Sequence, residues 1–131
     1  MLKNHAFRLL PGQDLKASLE QYVRDRQIKA GVILSGVGSL QRATLRLADE
    51  SLKTFEQKFE IVSLTGTLSQ NGCHLHISLA DSQGQVVGGH LKDGCLIYTT
   101  AEIVIGELSD MIFNRHPDQD TGFEELEVEQ K

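Results

Sequence analysis

Five histidines occur in the 131 residues, and three of them, His74, His76 and His90, fall close together in the chain. From Cys73 to Ala80 the odd positions are Cys73, Leu75, Ile77 and Leu79, and the even positions are His74, His76, Ser78 and Ala80. Strand side chains alternate between faces, so the odd set is a core face and the histidines share the other. The segment Asp81-Ser82-Gln83-Gly84-Gln85 suits a type I turn with Gly84 left-handed. That turn pairs Asp81 with Gln85 and, counting back along the hairpin, places His76 opposite His90. Opposed Cβ atoms lie about 5 Å apart and diagonal ones about 7 Å, so three imidazole nitrogens can meet at one point. Zinc accepts three such nitrogens at about 2.0 to 2.1 Å and keeps a fourth position for water or substrate. The spacing therefore predicts a divalent metal site, zinc by ligand type, on His74, His76 and His90, with Ser78 and Gly88 leaving room around it. The alternative is three solvated histidines on a sheet face, and a one-residue slip in register would send His90 to the core side.

Other residues invite weaker readings. Glu102 is a carboxylate inside the apolar strand pattern Thr99 to Ile103, which is costly to bury unless paired. It is the candidate acid or base of any catalytic chemistry, against the plainer reading of an edge residue, and Glu60 in Phe59-Glu60-Ile61 raises the same question. His5 and His116 read as satisfied or solvated histidines. Cys73 and Cys95 lack CxxC spacing and have apolar neighbours, so they read as buried free thiols. Gly36-Val37-Gly38-Ser39 has no P-loop lysine and reads as a tight connection.

The elements that must position the histidines follow from periodicity. Residues 5 to 10 form a first strand closed by Pro11-Gly12. Asp14 is placed as an N-cap, and apolar residues at helical spacing from Leu15 to Ile28 predict a helix ended by Gly31. Beyond it the period becomes 2, in segments 44–47, 55–69, 73–80, 86–90 and 96–108, separated by short turns. Short turns between consecutive strands mean antiparallel hairpins, so the expected fold is α+β, an antiparallel meander with one packed helix. After Asp110 the pattern weakens, and Phe113 to Leu126 reads as a loop and a tail docked through its Phe and Leu.

Composition sets outer bounds. A chain of 131 residues that is 40% hydrophobic and 24% charged suits one folded domain, here residues 1–131. The opening Met1 to Arg8 carries charges where a signal peptide needs an apolar core, and no apolar run of membrane-spanning length occurs. A cytoplasmic location without membrane contact is the resulting expectation. The net charge is −5, but it divides unevenly: residues 1–48 hold eight Lys or Arg against three Asp or Glu, while residues 118–131 hold six acids and one lysine. An acidic tail at 118–131 thus accounts for the whole excess. Net acidity disfavours an unaided nucleic-acid coat, whose phosphate contacts require a basic excess, yet it leaves room for a local basic face.

Four separated segments, in order, carry a family resemblance: Phe59 to Gly66, His74-Leu75-His76-Ile77-Ser78-Leu79-Ala80-Asp81, Gly84-Gln85-Val86-Val87-Gly88-Gly89-His90-Leu91, and Ala101-Glu102-Ile103-Val104-Ile105-Gly106. Together they resemble the PPC domain, also known as domain of unknown function 296, in its stand-alone prokaryotic type. Ser35 to Ser39 and Thr121 to Leu126 extend the similarity over nearly the whole chain. The resemblance implies a sandwich-like fold on an antiparallel sheet, assembled as a homotrimer. Plant members carry AT-hooks and act in nuclear DNA binding, but no Arg-Gly-Arg-Pro hook occurs here, and plant members lack histidines matching 74, 76 and 90. The prokaryotic branch is similar in fold to acetolactate decarboxylase, a zinc lyase whose metal is held by a His-x-His pair and a later histidine, an analogy that falls on His74, His76 and His90.

Two functions compete on these observations. One is a homotrimer with a three-histidine metal site that handles a small-molecule ligand or catalyses a reaction. The other is a DNA-binding or transcription-regulatory module that acts through partners, without an AT-hook.

Overall fold

The computed structural model describes residues 1–131. In chain order the elements are β1 (Leu2–Leu9), α1 (Leu15–Asp25), β2 (Gly31–Arg46), β3 (Leu52–Phe55), β4 (Phe59–Ser69), β5 (Gly72–Ala80), β6 (Val86–Leu91), β7 (Leu96–Leu108), β8 (Met111–Pro117) and β9 (Glu124–Gln130). The protein is mostly antiparallel sheet with one short helix, as the change of period indicates.

The sheet is a meander only in part. Strands β4, β5 and β6 follow one another as consecutive hairpins, but the full order is β1-β7-β2-β4-β5-β6, with β3 also on β2. The sixteen-residue β2 is the hub. It pairs with β4 along one edge and β7 along the other, and its last residues meet β6 through Leu45↔Leu91 and Arg46↔His90. Strands β2, β4, β5 and β6 thus close on themselves. That closure needs Gly89, where a Cβ would stand 2.7 Å from the Arg46 carbonyl oxygen. The expected connection at Gly36 to Ser39 lies inside β2. Small residues serve close backbone approach there: a Cβ at Gly38 would run into the Thr100 carbonyl oxygen, and register shifts against β7 bend the strand. The expected strand over 55–69 is broken, since Phe55 ends β3 and β4 starts at Phe59.

Helix α1 starts where expected. Asp14 Oδ1 accepts from Ala17 N–H at 3.0 Å, and its other oxygen accepts from Gly94 N–H at 2.6 Å, which ties the helix start to the β6–β7 turn. The end is earlier than the periodicity suggests. Gln27 adopts φ 53°, its N–H donates to Arg24 O, and Ile28 N–H donates to Val23 O. This is a Schellman closure with glutamine in the usual glycine position, and it folds fully buried Ile28 back beside Val23. Ile28 therefore joins the apolar face without being helical, and Gly31 instead begins β2.

The core lies between α1 and one face of the sheet. Leu15, Leu19 and Val23 of the helix meet a layer that includes Leu40, Leu68, Leu75, Leu79, Ile97 and Ile103. The odd residues of β5 belong to this layer, which leaves its histidines on the outer face.

The C-terminal region differs from the expected loop and tail. Strands β8 and β9 form a separate hairpin through Met111↔Gln130 to Pro117↔Glu124. Asp118 caps its turn by accepting from the N–H groups of Asp120 and Thr121. Acidic residues interleaved with Leu126 and Val128 follow a strand period, but their charge hides it. Phe113 is the residue that docks, buried with its N–H on Lys29 O at 3.0 Å, whereas Phe123 and Leu126 remain 46% and 40% exposed.

Candidate metal centre

Local chemistry builds the histidine hairpin. Asp81 N–H donates to Gln85 O at 2.8 Å, Asp81 Oδ1 accepts from the N–H groups of Gln83 and Gln85, and Gly84 takes φ 78°. The ladder then runs Ala80↔Val86, Ser78↔Gly88 and His76↔His90, the register inferred from the turn. Leu75, Ile77, Leu79 and Leu91 are buried on one side. Had the register slipped by one residue, His90 would occupy that apolar layer.

The three imidazoles converge. Their ring centroids are separated by 4.9 Å (His74 to His76), 5.1 Å (His74 to His90) and 5.6 Å (His76 to His90). One ring nitrogen from each lies within 4.8 Å of the others. Tetrahedral zinc with bonds of about 2.0 to 2.1 Å puts its nitrogens about 3.3 Å apart, so modest rotamer adjustment fits these donors to one ion. Protonation also suits the donor set. Burial first, then neighbouring charge from Arg46 and the other two histidines, pushes His90 down to about 4. Burial, followed by His76, lowers His74 as well. Both shifts favour the neutral ring, the form that offers a lone pair to a metal.

Two clefts open on the cluster. One, of about 330 Å³, is lined by Arg46, Asn71, His74, His90, Arg115 and Phe123, with Glu124 and Glu125 also on its wall. The other, of about 630 Å³, presents Glu50, Thr65, His76, Ser78 and Gly88, and shares Arg46, His90 and Phe123 with the first. Arg46 comes from the end of β2, with Nη2 3.4 Å from His90 Nδ1 and its guanidinium 5.5 Å from the centre of the Phe123 ring. Arg115 comes from β8 and donates from Nη2 to Thr67 Oγ1 at 2.9 Å. Neither guanidinium makes an ion pair with a carboxylate. Like unit charges about 4 Å apart repel by about 4 kcal/mol at an effective dielectric constant of 20. A divalent ion on the histidines would add to the positive charge of these arginines, which the cleft wall offsets only with Glu124 and Glu125.

Arg46, Arg115 and Phe123 escape a reading of the sequence. Arg46 meets His90 only through the long-range β2–β6 pairing, and Arg115 and Phe123 arrive with the C-terminal hairpin. The remaining singled-out residues lie elsewhere. Glu102 is exposed on β7, opposite Arg8 and Val37, and lines neither cleft. Glu60 is exposed on β4, opposite Ser39 and Ala80. His5 is a satisfied histidine, its Nε2 2.8 Å from Glu107 Oε1 and its Nδ1 3.2 Å from the Tyr22 hydroxyl. His116 is exposed, 3.5 Å from Glu127. The cysteines are free, Cys95 buried and Cys73 half-buried, and burial pushes both thiols up to about 11.

Residues 1–109 match the family model of the Plants and Prokaryotes Conserved (PCC) domain. The chain belongs to this family. PCC-domain relatives differ widely in length and context. The chain is 50% identical over 129 residues to a protein named bifunctional protein GlmU from Synechococcus sp. strain JA-3-3Ab, a match that spans 98% of the chain and 21% of that protein. It is 30% identical over 123 residues to AT-hook motif nuclear-localized protein 20 of Arabidopsis thaliana, spanning 88% of the chain and 43% of that protein. The chain thus covers about a fifth of the first relative and less than half of the second. Among solved structures, a hypothetical protein from Salmonella enterica superposes with a TM-score of 0.97 at 39% identity, covering 100% of this chain and 96% of that one. A metal-containing protein from Archaeoglobus fulgidus does so at 0.84 and 29%, covering 94% and 91%. α-Acetolactate decarboxylase from Bacillus subtilis shares the fold alone, with a TM-score of 0.53, 14% identity and coverage of 79% and 52%.

Proposed function

We propose that this PCC-domain protein holds a divalent metal, zinc by ligand type, on His74, His76 and His90, and uses the centre on a small-molecule ligand. The convergence of three ring nitrogens within 4.8 Å carries the reading. The similar Archaeoglobus fulgidus protein, described as metal-containing, supports it. A metal bound by three imidazoles retains a position at which it polarises a carbonyl oxygen or acidifies water. The protein's own part is to hold three imidazole rings on one face of the β5–β6 hairpin, with Arg46 and Arg115 beside them. His76→Ala and His90→Ala test the reading, because the core occupies the opposite face of β5. Each variant is expected to keep its fold by circular dichroism and lose bound metal on elemental analysis; variants that keep their metal refute the assignment.

Assembly as a homotrimer belongs to the same proposal. Leu34, Val37 and Val62 stand 50%, 52% and 57% exposed on the neighbouring strands β2 and β4, apolar surface that an oligomer would cover. Light scattering on the eluted protein gives the mass directly, and a monomer excludes this assembly.

The Arabidopsis relative, named for its AT-hook, favours a second reading, a DNA-binding or regulatory module that acts through partners. The acidic strand β9 weighs against direct contact. Titration of duplex DNA at two salt concentrations separates the cases, since phosphate contacts weaken steeply with salt. No salt-dependent binding removes direct recognition.

A further inference from the structure

The metal reading leaves two features of the smaller cleft unused. Arg46 and Arg115 line it without a carboxylate partner, and the acceptors they do have are poor: a His90 ring nitrogen at 3.4 Å and one threonine hydroxyl. Guanidinium groups match carboxylates in geometry and bind them through strong, charge-assisted hydrogen bonds. Resting on that metal reading, we infer that the cleft takes a small dicarboxylate, bound by Arg46 and Arg115 on one side and open to the histidine centre on the other.

Charge sets the class of ligand. With a divalent ion on the histidines, the two arginines and the ion place four positive charges around the cleft, against two negative ones from Glu124 and Glu125. A dianion restores neutrality, whereas a neutral molecule leaves the repulsion between metal and arginines in place. Size agrees, since about 330 Å³ lies at the small end of ligand pockets. The lining agrees too. Phe123 supplies one apolar wall and also faces the Arg46 guanidinium, a cation–π contact that favours Arg46 lying beside the ring. Phe123 is 46% exposed, apolar surface that a carbon backbone between two carboxylates would cover.

The test uses the full chain loaded with Co²⁺, whose visible spectrum reports changes near the metal, together with calorimetry. Probes are malonate and succinate, with acetate as monoanion, succinamide as neutral isostere and inorganic phosphate as the competing oxyanion. The expected result is saturable binding of a dicarboxylate at least about tenfold tighter than acetate, with no response to succinamide. Arg46→Gln and Arg115→Gln are each expected to weaken that binding about tenfold or more at unchanged cobalt content, and Arg46→Lys by less, since lysine keeps the charge without the bidentate fork. Cobalt uptake with dicarboxylate binding that ignores both arginines, or with phosphate as the only saturating anion, overturns this inference and leaves the metal site standing. Failure to take up cobalt at all overturns the metal reading and this inference with it.

Discussion

Arg46 stands opposite His90 across the β2–β6 ladder, with its Nη2 3.4 Å from His90 Nδ1. A guanidinium can donate only to an unprotonated ring nitrogen, so this contact belongs to metal-free His90 with its proton on Nε2, and metal binding at either nitrogen releases the Arg46 donor. The contact exists because β6 approaches β2 closely at Gly89, where any Cβ would press on the Arg46 carbonyl. Gly89→Ala is therefore expected to force the two strands apart and lower stability by about 1 to 3 kcal/mol, with weaker metal binding. Thermal denaturation and metal titration check both effects, and an unchanged variant would show that the closure is loose.

The two faces of β5 should separate in mutagenesis. Leu75→Ala or Leu79→Ala opens a cavity in the buried layer and is expected to cost about 2 to 5 kcal/mol in chemical denaturation. His74→Ala, on the exposed face, is expected to cost less than about 1 kcal/mol in the metal-free protein. Equal losses on both faces would contradict the assignment of core and site.

Acid should destabilise the metal-free protein in a defined window. His90 is pushed down to about 4 in the folded state from an ordinary value of 6.5. Between those values the unfolded chain binds a proton that the folded chain refuses, so stability falls as pH drops from about 6.5 toward 4. Below about 4 both states are protonated and this contribution stops changing. His90→Gln is expected to flatten the melting temperature against pH across that window, and an unaltered slope would assign the acid sensitivity elsewhere.

The thiols offer a check on packing. Burial pushes Cys73 and Cys95 up to about 11, so both stay protonated and unreactive at pH 8. Slow modification by a disulfide reagent is expected in the native protein, and fast modification of both in denaturant. Rapid labelling of Cys95 in the native state would contradict its burial.

The histidine centre is legible in the sequence because everything that makes it is local. Alternation along Cys73 to Ala80 assigns the faces, and Gly84 in its turn assigns the register that sets His76 across from His90. The arginines are not legible for the opposite reason. Arg46 reaches His90 only after β2 and β6 close, and Arg115 reaches the cleft only after a C-terminal hairpin forms whose acidic residues hide its period. Ile28 shows a third limit: its apolar character continues the helical stripe, yet its burial comes from the backbone closure at Gln27. Glu102 illustrates the converse, a carboxylate in an apolar strand that simply faces outward.

Metal content of the untagged protein, purified without chelators and measured by elemental analysis, tests the central claim most directly. One equivalent of a divalent metal per chain, lost in His76→Ala and His90→Ala, is the expected result. No stoichiometric metal in the wild type, before or after incubation with zinc and buffer exchange, would contradict it.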